Sequence, residues 1–195
     1  MPDLKPLAIT CNSTDCENGL HCFRATTSDP EVPQHGRCRD CGAELVDWDR
    51  VHDCDLGDID HTIAVMQLEL IRHHFWHLDM NQWAVNYALR KGRNGLREAI
   101  RNHLTKAIGP AEPFRDGAQT PREDKSRNPI HFAQHATASC CRRCIEEWHG
   151  FERGRDLTES EIDYLTELAF RYIDGRTPGL TDEAQRVPPI RQQAS

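Results

Sequence analysis

Apolar residues recur every three or four positions in several stretches after residue 57, which is the spacing of one face of an α-helix. The first stretch, residues 59–78, predicts a single helix whose inward positions are Ile59, Ile63, Met66, Leu70, Ile71, Phe75 and Leu78. A short second helix is expected over 81–90, ended by Gly92 and restarted after Gly95, because glycine is a poor helix former. This part of the chain is therefore predicted to be mainly α-helical.

The restarted helix has a clear apolar face and a clear end. Four apolar residues stand four positions apart along it: Leu96, Ile100, Leu104 and Ile108. Gly109-Pro110 is expected to stop the helix, since proline cannot continue one. Residues 110–130 then predict a long loop, and its polar stretch 116–121 either lines a functional cleft or forms a turn that covers a neighbouring site.

The last predicted helix begins at the capping box Thr158-x-x-Glu161 and is expected to end at Gly175. Residues 177–195 have three prolines and no apolar period, so they predict a disordered tail. The chain thus divides into four predicted segments. They are a cysteine-rich segment 1–56, a helical segment 57–109, a second metal-site domain 110–175 with its C-terminal helix, and a tail 176–195.

Nine cysteines fall in two clusters, six between Cys11 and Cys54 and three between Cys140 and Cys144. The first cluster lies in a stretch rich in Asp, Asn, Gly and Pro, a composition that forms turns rather than a packed core. Since only 37% of the residues are hydrophobic, we expect a metal to organise this part of the fold. The predicted fold class is mainly α with small zinc-stabilised loops and β-hairpins.

The first residues of the chain contain no basic region followed by an apolar stretch, so no signal peptide is expected. No window approaches the roughly 18 apolar residues that a membrane span needs. We therefore predict a cytoplasmic protein that has no membrane partner. Thiols stay reduced there, and paired cysteines more often bind metal or carry out redox chemistry than form disulfides.

Cys38-x-x-Cys41 is typical of a zinc knuckle, because this spacing lets two thiolates from one tight turn bind the same ion. Its partners are expected among more side chains than one ion takes: Cys11, Cys16, Cys22, His21, His52 and Cys54. Cys11 and Cys16 make the simplest second pair, and Cys22 is the next choice.

The second cluster predicts a zinc site formed by His135, Cys141, Cys144 and His149. If a helix begins near Cys141, its ligands approach one ion from neighbouring turns, and Cys140 either points away or replaces Cys141. Thiol exchange is the alternative, since Cys-x-x-Cys is also a redox spacing, but the flanking histidines favour zinc. In total we expect two zinc ions, both in closed structural sites that stabilise the fold.

A third candidate is the run His73-His74-Phe75-Trp76-His77. On a helix His73 and His77 share a face with Glu69, an arrangement suited to a metal with open coordination positions. The favoured interpretation is that these histidines pack beside the aromatic residues or face solvent.

Three stretches carry a resemblance to a known family: Gly-Pro-Ala-Glu-Pro-Phe-Arg-Asp-Gly-x-Gln-Thr-Pro at 109–121, Ala-Gln-His-Ala-Thr-x-Ser-Cys-Cys-Arg-x-Cys at 133–144, and Trp148-His149. From about Arg97 to Ile173, about two-fifths of its length, the chain resembles a widespread bacterial domain of unknown function. The residues that resemble the N-terminal extension of longer members are Cys11, Cys16, Cys22, Cys38, Cys41, the Gly-Leu-His-Cys-Phe stretch at 19–23 and Trp48. Cys54 lies outside that pattern. The resemblance implies no known activity.

Charge is distributed unevenly along the chain. The net charge of −7 argues against a general polyanion binder. Residues 61–110, however, carry 7 basic and 3 acidic side chains. Arginines between Arg90 and Arg101, together with Arg142-Arg143, are suited to phosphate contacts, which makes DNA or RNA a predicted partner.

The first functional hypothesis is therefore a zinc protein associated with nucleic acid, as a binding or processing accessory factor. The second is a zinc-built adaptor that binds a protein partner. The third is a metal-dependent nuclease, with Asp49, His52, His131 or the His73/His77 pair as catalytic candidates, none of which lies in a complete motif.

Overall fold

The computed structural model describes residues 9–25, 36–121 and 126–190. Its helices are α1 (Trp48–His52), α2 (Ile59–Met66), α3 (Leu70–His77), α4 (Gln82–Ala107), α5 (Pro129–Ala136), α6 (Arg142–His149) and α7 (Glu159–Gly175). Extended pairing within these ranges is limited to three isolated bridges, which are Asp15 with Leu20, His21 with Glu69, and Arg37 with Glu44. The mainly α prediction is confirmed, and single bridges stand where hairpins were expected.

The main hydrophobic core lies between α4, α5 and α7, with α3 packed on α5. Leu96, Ile100 and Leu104 of α4 are fully buried, as is Leu165 of α7. Full burial of each such side chain stabilises the fold by about 1.5–3 kcal/mol. The segments 57–109 and 110–175, which were predicted separately, therefore contribute to one core.

The prediction of a single helix over 59–78 is wrong, because the chain forms two helices, α2 and α3, with a break between them. At the break, the backbone of His21 replaces the helical hydrogen bonds. Its amide donates to the carbonyl of Leu68 at 2.7 Å, and its own carbonyl accepts from the amide of Leu70 at 2.9 Å. The N-terminal segment thus docks on the helical part of the chain at the start of α3.

Gly92 interrupts α4, as its position predicted, but the helix resumes at once rather than after Gly95. Gly92 has φ 65° and ψ 171°, a conformation that is almost restricted to glycine. A Cβ at this position would lie 2.4 Å from the carbonyl carbon of Glu183. The interruption therefore makes room for the chain that follows α7.

That C-terminal segment packs against α4. Thr177 and Leu180 are buried, and the carbonyl of Thr181 accepts a hydrogen bond from the amide of Arg93 at 2.8 Å. The prediction of a disordered tail over 176–195 is wrong for this segment, because its backbone satisfies amides that the break in α4 leaves unpaired. The last five residues of the predicted tail lie outside the described residues.

Candidate metal centres

Four ligand-type side chains of the N-terminal segment meet at one point, which we call the N-terminal centre: Cys16, His21, Cys38 and Cys41. Their ligand atoms all lie within 4.8 Å of one another. The sulfur atoms of Cys16 and Cys38 are 3.6 Å apart, and the sulfur of Cys41 is 3.4 Å from Nδ1 of His21. Cys38 is buried and Cys41 is exposed, so the centre lies at the edge of the protein.

A tight reversal of the chain brings the first two of these side chains together. The 3₁₀ turn Cys16–Asn18 ends at Gly19, whose φ of 74° lies in the left-handed region. The amide of Asp15 donates to the carbonyl of Leu20 at 2.7 Å, and the reverse bond is 3.0 Å long. This closed turn places His21 directly after the reversal, beside Cys16.

A second turn presents the other two cysteines and stabilises a thiolate. The amide of Cys38 donates to the carbonyl of Ala43, and that of Gly42 to the carbonyl of Cys38, both at 2.9 Å. Burial alone would raise the pKa of the Cys38 thiol. Hydrogen bonds from backbone amides, that of Cys41 first, outweigh this effect and lower the pKa to about 6. Burial and the neighbouring thiols raise the pKa of Cys16 to about 12. Amide donation to sulfur favours the thiolate, which is the form that binds metal.

Three cysteines at the start of α6 form a second group, which we call the buried centre: Cys140, Cys141 and Cys144. All three are buried, and their sulfur atoms lie within 4.8 Å of one another. Cys141 is the N-cap of α6, and its sulfur accepts a hydrogen bond from the amide of Cys144 at 3.4 Å. Because the N-terminus of a helix carries partial positive charge, this position favours thiolates.

A buried arginine, Arg72, lies beside the buried centre. Its Nη2 atom is 3.2 Å from the sulfur of Cys144, and its Nη1 atom donates to the carbonyl of His135 at 2.6 Å. Its Nε atom donates to a carboxylate oxygen of Glu69 at 3.0 Å, and Nε1 of Trp148 donates to the same oxygen at 2.9 Å. N–H donors of this kind hold sulfur ligands in place and tune their charge.

The sulfur atoms of this centre influence one another's protonation. Hydrogen bonds from Cys11, Cys140 and Cys141 hold the pKa of Cys144 well below its ordinary range, and the Arg72 guanidinium adds to this effect. Hydrogen bonds with Cys141 and Cys144 raise the pKa of Cys140 well above its ordinary value. Of the three thiols, Cys144 is therefore the one whose surroundings favour the thiolate, which is the form that binds a metal cation.

His135 and His149, predicted as ligands of this centre, are not brought together with the cysteines. Nε2 of His135 lies 3.0 Å from the carbonyl oxygen of Pro121, and Nε2 of His149 lies 3.1 Å from that of Thr137. Both Nδ1 atoms are buried without a hydrogen-bond partner. Burial lowers the pKa of His135 to about 4 and that of His149 to about 3, so both rings are neutral and each serves a backbone carbonyl.

The N-terminal cysteines also differ in part from expectation. Cys16, Cys38 and Cys41 meet, but the fourth side chain is His21, one of several candidates rather than the expected partner. Its position within Gly-Leu-His-Cys-Phe is the sequence signal that points to it. The expected pairing of Cys11 with Cys16 is not formed, because Cys11 belongs to neither of the two groups in the described part of the chain.

Two further cysteines, like Cys11, lie outside both centres. The sulfur of Cys22, a predicted ligand, is buried and donates to the carbonyl of Cys11 at 3.1 Å. The sulfur of Cys54 lies 3.5 Å from the carbonyl oxygen of His149. In the described part of the chain, neither cysteine therefore belongs to a group of ligand atoms spaced closely enough to bind one metal ion.

The candidate catalytic residues do not assemble into a site within the described ranges. The rings of His73 and His77 stack with centroids 4.0 Å apart, and Nδ1 of His77 lies 2.8 Å from the carbonyl oxygen of His73. Nδ1 of His131 is 2.8 Å from Oγ of Ser126. Neither these histidines nor the two remaining candidates, Asp49 and His52, belong to a group of metal-sized spacing.

The arginines predicted to contact phosphate are engaged within the protein. Three arginines of α4 each donate to a carboxylate of α7, Arg93 to Asp174, Arg97 to Glu167 and Arg101 to Asp163. Arg142 is buried and donates to several backbone carbonyls, and Arg143 pairs with Glu147 at 2.9 Å. These side chains are therefore engaged in contacts within the protein, and the nucleic-acid hypothesis gains no support from them.

The loop after α4 covers the buried centre. Asp116 accepts a hydrogen bond from the amide of Arg142 at 3.0 Å, and the Thr120 hydroxyl lies 3.4 Å from the carbonyl oxygen of Cys140. Of the two interpretations of stretch 116–121, the covering turn is the one that these contacts favour. Residues 122–125 of the predicted loop lie outside the described residues.

The fold and the two groups define a helical protein with two candidate metal centres rich in thiols. The family model described as "Domain of unknown function (DUF4186)" matches residues 60–174, more than half of the chain. The chain therefore belongs to this family. No solved structure matches it. None of the described helices combines the length and apolar character that crossing a bilayer would require.

Proposed function

We propose that this chain is a zinc-binding protein whose metal centres are structural. The observation that carries the proposal is the geometry of the N-terminal centre. With Zn–S bonds of about 2.3 Å and Zn–N bonds of about 2.0–2.1 Å, tetrahedral coordination places ligand atoms roughly 3.5–3.8 Å apart. The separations of 3.6 Å between Cys16 and Cys38 and of 3.4 Å between Cys41 and His21 are close to these values.

The donor set favours zinc over other metals. Three thiolates and one imidazole are soft or borderline ligands, which suit zinc and exclude magnesium or calcium as the resident ion. Four protein ligands leave no open position for water or substrate, the arrangement that distinguishes structural from catalytic zinc. The buried centre offers three more thiols inside the protein, so we expect a second ion there.

Elemental analysis tests this proposal. Chain purified under reducing conditions without added metal is expected to contain two zinc ions. Cys41→Ser should contain one, because an exposed ligand of the N-terminal centre is lost. Cys54→Ser is the matched control, since this half-buried cysteine lies outside both groups, and it should keep two. Iron with acid-labile sulfide, or wild-type chain without metal, would contradict the proposal.

A protein-interaction role is the second candidate, favoured by one side chain. Phe114 is 86% exposed, although it lies in a loop that Asp116 and Gln119 anchor to α6 and α4. An exposed aromatic residue on an anchored loop is suited to fill a partner's pocket, because little conformational freedom is lost on binding.

Photo-crosslinking inside cells tests the interaction role. A photoreactive residue at position 114 should give one discrete adduct with a protein, whereas the same residue at Leu45, another exposed apolar position, should not. Identical patterns at the two positions would argue against an adaptor. A shift with DNA or RNA at about 50 mM salt would instead favour the nucleic-acid hypothesis.

A further inference from the structure

We infer that Cys41 is a site of oxidation by hydrogen peroxide, and that its reaction releases the ion of the N-terminal centre. The inference rests on the proposed zinc function and assigns a chemical sensitivity to one of the two ions. Cys41 is exposed, whereas Cys38 of the same group is buried. A cysteine is oxidised more readily the more thiolate character and exposure it has, and coordination to a metal ion keeps a thiol deprotonated.

The buried centre offers peroxide no comparable thiol. Cys140, Cys141 and Cys144 are 4%, 8% and 1% exposed. The loop after α4 lies over them, with the Thr120 hydroxyl 3.4 Å from the carbonyl oxygen of Cys140. Thiol ligands thus occur in two environments within one chain, one at the edge of the protein and one enclosed. Oxidation is therefore expected to distinguish the two ions.

Cys38 is placed to complete the reaction. It lies in the same turn as Cys41, which the bond from the amide of Gly42 to the carbonyl of Cys38 closes at 2.9 Å. The sulfur atoms of the two cysteines lie within 4.8 Å of each other. Two cysteines at this spacing in the sequence are able to form a disulfide. Cys38 is therefore the thiolate that an oxidised Cys41 meets first.

The reaction has two steps. The Cys41 thiolate attacks one oxygen of hydrogen peroxide, which breaks the O–O bond and gives a sulfenic acid and a hydroxide ion. The Cys38 thiolate then attacks the sulfenic sulfur, so that an S–S bond forms and a second hydroxide ion leaves. The two thiolates have together lost two electrons, which peroxide has gained. The zinc ion has lost two of its four ligands and is released unchanged.

The new disulfide cannot replace the ion as a link between turns. The N-terminal centre joins Cys16 and His21 of one turn to Cys38 and Cys41 of another, whereas the disulfide lies within the second turn alone. His21 also fills the break between α2 and α3 with its backbone. Oxidation is therefore expected to loosen the N-terminal segment while the buried centre keeps its ion.

Zinc release and disulfide mapping test the inference together. Wild-type chain that contains two zinc ions is treated with a small molar excess of hydrogen peroxide, and free zinc is measured with a colorimetric chelator too weak to remove zinc from untreated chain. One of the two ions should be released. Mass spectrometry of alkylated, non-reduced peptides should show a Cys38–Cys41 disulfide and free thiols in the buried centre. Retention of both ions, release of both together, or a map without the Cys38–Cys41 bond would overturn the inference.

Cys41→His removes the exposed thiol but keeps a fourth ligand, so this variant should retain both ions under the same treatment. Cys54→Ser is the matched control, since it removes a thiol that lies outside both groups, and it should release one ion as wild-type chain does. Release of an ion from Cys41→His would refute the role of Cys41. Should that variant fail to bind two ions, the wild-type disulfide map decides, whereas untreated wild-type chain with fewer than two zinc ions counts against the proposed function itself.

Discussion

The N-terminal segment and the helical core are stabilised in different ways. Residues 9–25 and 36–55 form turns, single bridges and the short helix α1, and their buried side chains include Cys11, Cys22 and Cys38. The core between α4, α5 and α7 instead buries a continuous set of aliphatic and aromatic side chains. The comparison teaches that apolar burial accounts for one region, whereas the other has little of it and would depend on the metal that we propose its thiols bind.

The two regions meet at a small aromatic cluster as well as at the buried centre. Phe23 and Trp48 of the N-terminal segment both contact Trp148 of α6, with ring centroids 5.9 Å and 5.1 Å away. Aromatic pairs contribute about 0.5–1.5 kcal/mol beyond area burial. That amount is small beside the binding energy of a structural zinc ion, so the junction is expected to open when metal is removed.

Metal removal should therefore give the largest effect, and it should unfold the N-terminal segment while the helical core stays folded. With a strong chelator under reducing conditions, amides of residues 16–25 and 36–44 should lose hydrogen-exchange protection while α4 and α7 keep theirs. Structural zinc supplies about 10–16 kcal/mol of apparent binding free energy, and apolar burial cannot replace it in this segment. Mass-spectrometric hydrogen exchange measures the outcome. Equal loss of protection in α7 would show that the two regions are not independent.

Replacement of Arg72 tests the surroundings of the buried centre. Arg72→Met should lower the free energy of unfolding by about 3–5 kcal/mol, because it leaves the buried carboxylate of Glu69 without its cationic partner. Denaturant unfolding followed by circular dichroism measures the change. Arg97→Met, which removes a half-exposed arginine from α4, should cost about 1 kcal/mol or less. Equal effects of the two substitutions would contradict a special role for Arg72.

A change at Gly92 should affect the helical core alone. Gly92→Ala is expected to cost about 1–3 kcal/mol, since alanine disfavours φ 65° and its Cβ would displace the chain at Glu183. Zinc content should stay unchanged. Gly95→Ala is the matched control, because its Cβ meets nothing closer than 3.8 Å, and it should stabilise the helix by up to about 1 kcal/mol. Thermal unfolding compares them, and similar melting temperatures would contradict the prediction.

The smallest effect concerns pH in the helical core. Burial, together with the neighbouring His103, lowers the pKa of His131 to about 4, whereas an unfolded histidine titrates near about 6.5. The unfolded state therefore binds more protons between these values, and the stability that neutral His131 contributes is lost as pH falls from about 6.5 towards 4.

His131→Gln removes this contribution. Between pH 7 and pH 5, wild-type chain should lose about 1–2 kcal/mol more unfolding free energy than the variant. Acid also weakens thiolate coordination of metal, but this loss is common to both chains and cancels in the difference. Parallel pH profiles would show that His131 does not titrate differently in the two states.

The parts of the fold that follow from local sequence were predictable. The capping box at Thr158 and Glu161 begins α7, as predicted. The helix expected to begin near Cys141 is α6, whose N-cap is Cys141. The break before α3 was not predictable, because the helical pattern continues through it and the backbone that replaces its hydrogen bonds comes from His21. Local periodicity carries no information about such an insertion.

The candidate site divides in the same way. Cys38-x-x-Cys41 is a local turn, so its spacing identified it. That His21 rather than Cys11 joins Cys16 depends on how the chain folds back on itself, which the spacing of the cysteines does not encode. The arginines of α4 illustrate the same limit, because a basic stretch in the sequence becomes a row of ion pairs once α7 lies beside it.

The chain beyond α7 has a practical consequence for protein production. A fragment cut at the limits of the family match, residues 60–174, would omit Phe23, Cys38 and Val51, which pack with the buried centre. It would also omit the carbonyls that receive the amides following Gly92. Such a fragment would expose the buried centre at one end and an unsatisfied helix break at the other. Expression boundaries for biochemical work on this protein should therefore begin before Ile9 and extend past Gln185.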